Sequence, residues 1–118
     1  MTIQECYKEM NEDYSEIYER LGNEKMIRTF VIGFMKDPSF STLKEGLEEK
    51  DGEKAFRAAH TLKGVCLNLG FGELNRLSVE LTEMLRGRDV TGTEEIFAAV
   101  EKKYNEMIDI IKRMENEE

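Results

Sequence analysis

One histidine, one proline, two cysteines and no tryptophan occur in the 118 residues, and each shortage removes a class of protein. A single histidine cannot form the paired Glu-x-x-His sites or histidine clusters by which helical bundles commonly hold metals, and Arg57 stands three residues before it. No metal site is expected. Cys6 and Cys66 lack C-x-x-C spacing and read most simply as reduced thiols, although a bridge between them stays open at this level. The longest apolar run, Phe30 to Met35, is interrupted by Gly33 and is far too short to span a bilayer. The opening residues, Met-Thr-Ile-Gln-Glu-Cys, show no basic-then-apolar signal peptide. A cytoplasmic protein without membrane association is expected, and Met1 with an immediate helical start points, weakly, to a free-standing one. With 17 basic against 25 acidic residues the net charge is −8, so no basic stripe is available for nucleic-acid phosphates. No G-x-x-x-x-G-K-[ST] loop is present to cradle a nucleotide. So many carboxylates guarantee chance pairs, and none marks an acid–base dyad.

What is present is helical periodicity, so the fold class is all-α, in a single domain over residues 1–118. A chain of this size buries about two-thirds of its unfolded surface. Residues 2–21 read as one helix or two short ones broken around Asn11 to Asp13, with Tyr7, Met10, Tyr14, Ile17 and Leu21 on one side. Met26, Ile27, Phe30, Val31 and Phe34 repeat at spacings of three and four up to Asp37-Pro38, where Asp37 is expected as N-cap and Pro38 at the first helical position. The next helix carries Phe40, Leu43 and Leu47, with Glu45, Glu48, Glu49 and Lys50 as a solvated face. Asp51 then caps the following helix, which ends in the turn Gly70-Phe71-Gly72. That short connection implies an antiparallel neighbour, packing Leu74, Leu77, Leu81 and Leu85 inward and leaving Asn75, Val79, Thr82 and Arg86 on a flank beside His60. After the loop from Gly87 to Thr93, either a Thr91–Glu94 capping box or Thr93 opens the last helix, whose core stripe is Ile96, Val100, Tyr104, Met107, Ile111 and Met114. The methionines read as gap-filling core.

The lone histidine lies on the outward side of its helix. At about 100° per residue, Ala55, Ala58, Ala59, Leu62, Val65, Cys66 and Leu69 fall within about 60° of Leu62 and make one apolar stripe. From the same reference His60 comes out near 160°, Lys63 near 100° and Gly64 near 200°, roughly opposite the core. Phe56 and Leu67 flank the imidazole at about 120° and 140°, where a helix that only has to be soluble would carry charge. An apolar rim around an exposed polar group indicates docking. Gly64, at i+4, leaves space beside the ring at a cost of about 1 kcal/mol in helix propensity relative to alanine. Lys63, at i+3, places an ammonium where it can meet an anion on that ring. Near pH 7 an ordinary imidazole, with a pKa of roughly 6.5, is largely neutral and nucleophilic. Phosphoryl transfer through a loose transition state asks mainly for alignment and charge neutralisation. These are the parts of a phosphoryl carrier.

His60, Leu62, Lys63 and Gly64, followed by Asn68, Leu69 and Gly70, form an H-x-L-K-G core and an N-L-G sequel. In this the chain resembles the histidine-containing phosphotransfer (HPt) domains of two-component phosphorelays, and its helical order and length fit that family from end to end. The resemblance implies an antiparallel up-and-down four-helix bundle with an additional short N-terminal helical segment. It implies that His60 accepts a phosphoryl group from a receiver-domain phospho-aspartate and passes it to another receiver's aspartate. Lys63 would neutralise the group and Gly64 would leave room for it. Thr82 aligns with a position from which the family often sends a glutamine or acidic side chain towards the histidine. Arg86 aligns with a position that is basic in some members, as a second cation. Phe56, Arg57 and Leu67 fall to the receiver-docking face. Val65 and Cys66 replace residues that are commonly small, a departure that concerns packing. The implied partners are response-regulator receiver domains and a hybrid histidine kinase, the chain itself acting as a monomer. Mg²⁺ would come from the receiver, with no cofactor of the chain's own.

The dimerisation domain of a histidine kinase also carries its histidine on a helix, usually with an acidic residue next and a proline near i+4 or i+5. Here Thr61 and Gly64-Val65 occupy those places, and self-phosphorylation from ATP is not expected. The rival is a pseudo-HPt adaptor, a helical protein-binding module that keeps the docking surface without being phosphorylated.

Overall fold

The structure, a computed structural model, describes residues 1–117. Among them are seven helices and no strand: α1 (Ile3–Glu9), α2 (Tyr14–Leu21), α3 (Glu24–Phe34), α4 (Ser39–Glu48), α5 (Gly52–Leu69), α6 (Gly72–Met84) and α7 (Glu94–Asn116).

Local chemistry sets most of the boundaries. Thr2 and Glu5 form a reciprocal capping box at α1. Asn11 then turns left-handed at φ 61°, and Asp13 accepts from the Ser15 amide at 3.0 Å, so the N-terminal segment is two short helices. Asn23 caps α3 through the Met26 amide, and Asp51 caps α5 through that of Lys54. Gly70, at φ 74°, closes α5 in the left-handed region that glycine adopts without strain. Two expected caps are displaced. Pro38 is itself the N-cap of α4, and Asp37 reaches past it to the Ser39 amide at 2.8 Å. The proline has no amide hydrogen to be capped, so the carboxylate serves the next residue. Thr93 holds the N-cap position of α7, but its hydroxyl donates back to the Val90 carbonyl at 2.7 Å. Glu94 and Glu95 are left to complement the positive helix end.

Four antiparallel struts make the bundle, and the first is split. Pro38, Ser39 and Thr42 of the α4 region line a groove with Lys54, Arg57, Ala58 and Thr61 of α5. Phe30, Gly33 and Phe34 of α3 line another with Val65, Asn68 and Leu69. Thus α3 and α4 follow one another along α5, which α6 continues after a short turn and α7 after the loop of residues 85–93. Where α4 crosses α5 the backbones nearly touch: a Cβ on Gly46 would lie 2.8 Å from the Ala55 nitrogen. The helices α1 and α2 cover the end of α5. Tyr7 donates to the Leu69 carbonyl, and Arg20 donates to the Asn68 carbonyl at 2.8 Å.

The core is apolar and continuous, from Ile3 and Tyr7 through Leu43, Leu62, Leu74, Leu81 and Leu85 to Val100, Met107, Ile111 and Met114. A chain of ring contacts, Tyr7–Phe71–Phe34–Tyr104–Phe40, joins four helices and the turn between α5 and α6, with the last pair stacked at 4.1 Å. The stripe of α3 is narrower than its periodicity indicates: Ile27, Val31 and Phe34 are buried, whereas Met26 and Phe30 are exposed. Met84 is exposed too, apart from the core methionines. Cys6 and Cys66 are free and buried, and burial pushes their thiols up to about 11 and about 12. No described helix is long and apolar enough to cross a membrane.

Candidate functional site

The α5 helix divides into a buried and an outward side. Ala55, Ala58, Ala59, Leu62, Cys66 and Leu69 are buried, and His60 is exposed among Thr61, Leu67 and the half-buried Lys63 and Gly64. Val65, placed in the core stripe by periodicity, is only half-buried and lines the groove beside α3. A Cβ on Gly64 would meet nothing within 4 Å, so the space at i+4 from the imidazole is open. Phe56, one turn before His60, is half-buried with its ring centroid 6.1 Å from the imidazole's. Leu67 is 63% exposed.

Two links across the α5–α6 hairpin bracket His60. On one side the Asn75 amide donates to the Lys63 carbonyl at 2.9 Å. On the other the Arg86 guanidinium lies 5.5 Å from the centre of the Phe56 ring. His60 therefore sits on a stretch of α5 whose register against α6 is fixed above and below.

A family model for the Hpt domain matches residues 3–116. The chain belongs to the Hpt domain family. Neither a curated protein nor a solved structure matches it. Hpt domains act in histidine phosphotransfer within phosphorelays and interact with receiver domains, and the helical bundle is their fold.

Charge around the histidine of this Hpt domain is largely committed. Glu53 accepts from Arg57 at 2.6 Å and from Arg88 at 2.8 Å. Glu83 takes Arg86 in a two-pronged bond of 2.7 and 3.0 Å. Both carboxyls are held below the usual glutamate range, Glu53 by Arg88 and then Arg57, Glu83 by Arg86 with a smaller contribution from Lys63. Among the described residues no carboxylate forms an ion pair with the Lys63 ammonium within salt-bridge distance. Lys63 is thus a basic group three residues from His60 that, among the described residues, is not held by a carboxylate.

Thr82 does not lie where the sequence places it. Instead of standing outside the core with Val79 and Arg86 it is fully buried, and its hydroxyl donates to the Ser78 carbonyl at 2.6 Å. The α6 helix is covered on two sides, by α5 and by α7, and its second buried flank is built from Ser78 and Thr82. Thr82 is accommodated there by bonding to its own helix, whereas the Ser78 hydroxyl is buried without a partner, and the polar composition of both hides the flank from a hydrophobic pattern. Arg86 stays on the outer surface but is bound to Glu83. Val79 is exposed and Asn75 half-buried on α6.

Sequence reasoning did not find Glu53, Glu83 or Arg88. The first two carry a local signal, since Glu53–Arg57 is an i,i+4 pair and Glu83–Arg86 an i,i+3 pair. Arg88 lies beyond the helix, where periodicity places nothing. Among the described residues no group of three or more His, Cys, Asp or Glu side chains is disposed to hold a metal ion.

Proposed function

We propose that His60 is the phosphoryl-carrying residue, taking the group from a receiver's phospho-aspartate and passing it to the aspartate of another receiver. The observation that carries this reading is the exposed placement of the chain's one histidine beside open space at Gly64. In the forward step the imidazole nitrogen forms a bond to phosphorus as the acyl-phosphate P–O bond breaks, leaving the aspartate as a carboxylate. The reverse step regenerates a phospho-aspartate on the second receiver. Because the transition state is loose, the work of the chain is to align the imidazole and to offset charge on the moving oxygens. Lys63 does the second, and Gly64 admits the group. Arg86 contributes only as far as it can leave Glu83. Thr82 supplies no hydroxyl to the imidazole in this scheme, its proton being given to Ser78.

Phe56, Arg57 and Leu67 belong to the surface that meets the receiver, which brings Mg²⁺ with its own acidic site. The chain works in the cytoplasm as a monomer, as one domain. A phosphorylated receiver with Mg²⁺ will label the wild-type chain with an acid-labile phosphate, and His60→Gln will remain unlabelled. Equal labelling of that variant overturns the assignment. Receiver binding without any labelling of the wild type would make the chain an adaptor.

A further inference from the structure

Arg88 lies outside every helix, yet its position is fixed from several directions. Its backbone is left-handed at φ 59°, and its carbonyl packs so closely on Gly52 that a Cβ there would fall 1.8 Å from the oxygen. Its Nε donates to Glu53 at 2.8 Å, and Nη1 donates to the Arg86 carbonyl at 2.6 Å. The guanidinium carbon stands 3.9 Å from the centre of the Phe56 ring, well inside cation–π range. Phe56 in turn is the ring next to His60.

A ring covered by a guanidinium is no longer a bare apolar contact. On this side of His60 an incoming protein meets charge. Beyond Gly64 it meets the exposed Leu67 and the groove under Phe30. The rim is therefore divided into a cationic and an apolar half. Among the described residues Glu53 and Glu83 are the only ion-pair partners of Arg57, Arg86 and Arg88, and Lys63 forms no ion pair, although the whole chain carries a net charge of −8. The pairing also leaves Arg88 with capacity to spare. A guanidinium has five N–H donors in a planar fork, and the bonds to Glu53 and Arg86 use two of them.

We propose that Arg88 is a specificity-determining residue of the docking face, receiving an acidic side chain of the incoming receiver domain beside His60 with the Phe56 ring as its backing. Charge complementarity selects that occupant, and the free edge of the fork matches a carboxylate. Because Glu53 and Phe56 already order the side chain and the Gly52 contact holds its backbone, docking restricts little further motion. The inference rests on docking at His60, but a binding measurement does not require that transfer occur.

The test uses a receiver domain that exchanges phosphate with the wild-type chain, measured unphosphorylated for binding and phosphorylated for transfer. Arg88→Gln is expected to weaken binding about tenfold, chiefly through slower association, with a shallower salt dependence and with the transfer defect in KM. Arg88→Lys keeps the charge without the fork, and is expected to restore the salt dependence while binding about threefold more weakly than wild type. Should glutamine loosen the loop, seen as a lower melting temperature, the lysine variant decides. Wild-type affinity and salt dependence in Arg88→Gln, wild-type affinity in Arg88→Lys, or a loss confined to kcat would each overturn the proposal. Weakened binding by Arg88→Gln alongside labelling of His60→Gln would sink the phosphotransfer reading and leave this one standing.

Discussion

The Tyr7 hydroxyl donates to the Leu69 carbonyl at 2.5 Å, joining the first helix to the last turn of the helix that carries His60. Both groups are buried, so removing the donor strands an acceptor away from water. Tyr7→Phe is expected to cost about 1–2 kcal/mol in denaturant unfolding while leaving the ring contacts to Tyr14 and Phe71 in place. An unchanged unfolding midpoint would show that another donor satisfies the carbonyl.

Gly64 separates stability from function. It lies inside α5, and a side chain there meets nothing within 4 Å, so Gly64→Gln gains helix propensity of about 0.5–1 kcal/mol without a clash. The variant is expected to melt no lower than wild type and to exchange phosphate with a receiver at least several-fold more slowly, as the longer side chain fills the approach to the imidazole. Wild-type transfer rates would show that the open space is unused.

Gly52 behaves in the opposite way. Its missing side chain makes room for the Arg88 carbonyl, a backbone atom that cannot rotate aside. Gly52→Ala is expected to destabilise the fold by about 1–3 kcal/mol, the range for overpacking, and to release Arg88 from Phe56. Thermal melts, with the Phe56 ring resonances as a local probe, check both consequences.

Two glutamates should titrate on opposite sides of the ordinary value. Hydrogen bonds from Arg88 and Arg57 lower Glu53, so its contribution to stability is present above the usual glutamate pKa and is lost as pH falls through the lower folded value. Glu12 sits against the start of α6, 3.4 Å from the Glu73 amide, and desolvation raises it. Between the ordinary and the raised value the unfolded chain ionises first, so the Glu12 contribution falls as pH rises through that window. Carboxyl-carbon NMR titrations will show Glu53 inflecting below, and Glu12 above, the roughly 4.3 of a free glutamate.

The parts of this site legible in the sequence are those set within one helix. A 3.6-residue period is enough to turn His60 outward, to bury Leu62 and Cys66, and to find the caps Asp51 and Gly70, because each depends on neighbours a few residues away. Thr82 was misplaced because its surroundings are tertiary: α6 is buried on two flanks, and the second is polar in composition. Phe30 shows the converse, an aromatic at helical spacing that α5 does not cover. Arg88 was invisible because a loop residue has no period. Its place depends on a glycine that sits 36 positions earlier in the chain.

The near-contact of Gly46 with Ala55 has a consequence for how the protein signals. Two backbones that close leave α5 no freedom to roll or slide against α4 without parting the pair, and the buried alanines along the same side offer no slack to absorb such a movement. The helix bearing His60 is a stator. Under the proposed function, what it hands on is the covalent group itself rather than an altered shape, so the information lies in whether the imidazole is loaded, and partners must read it by touch.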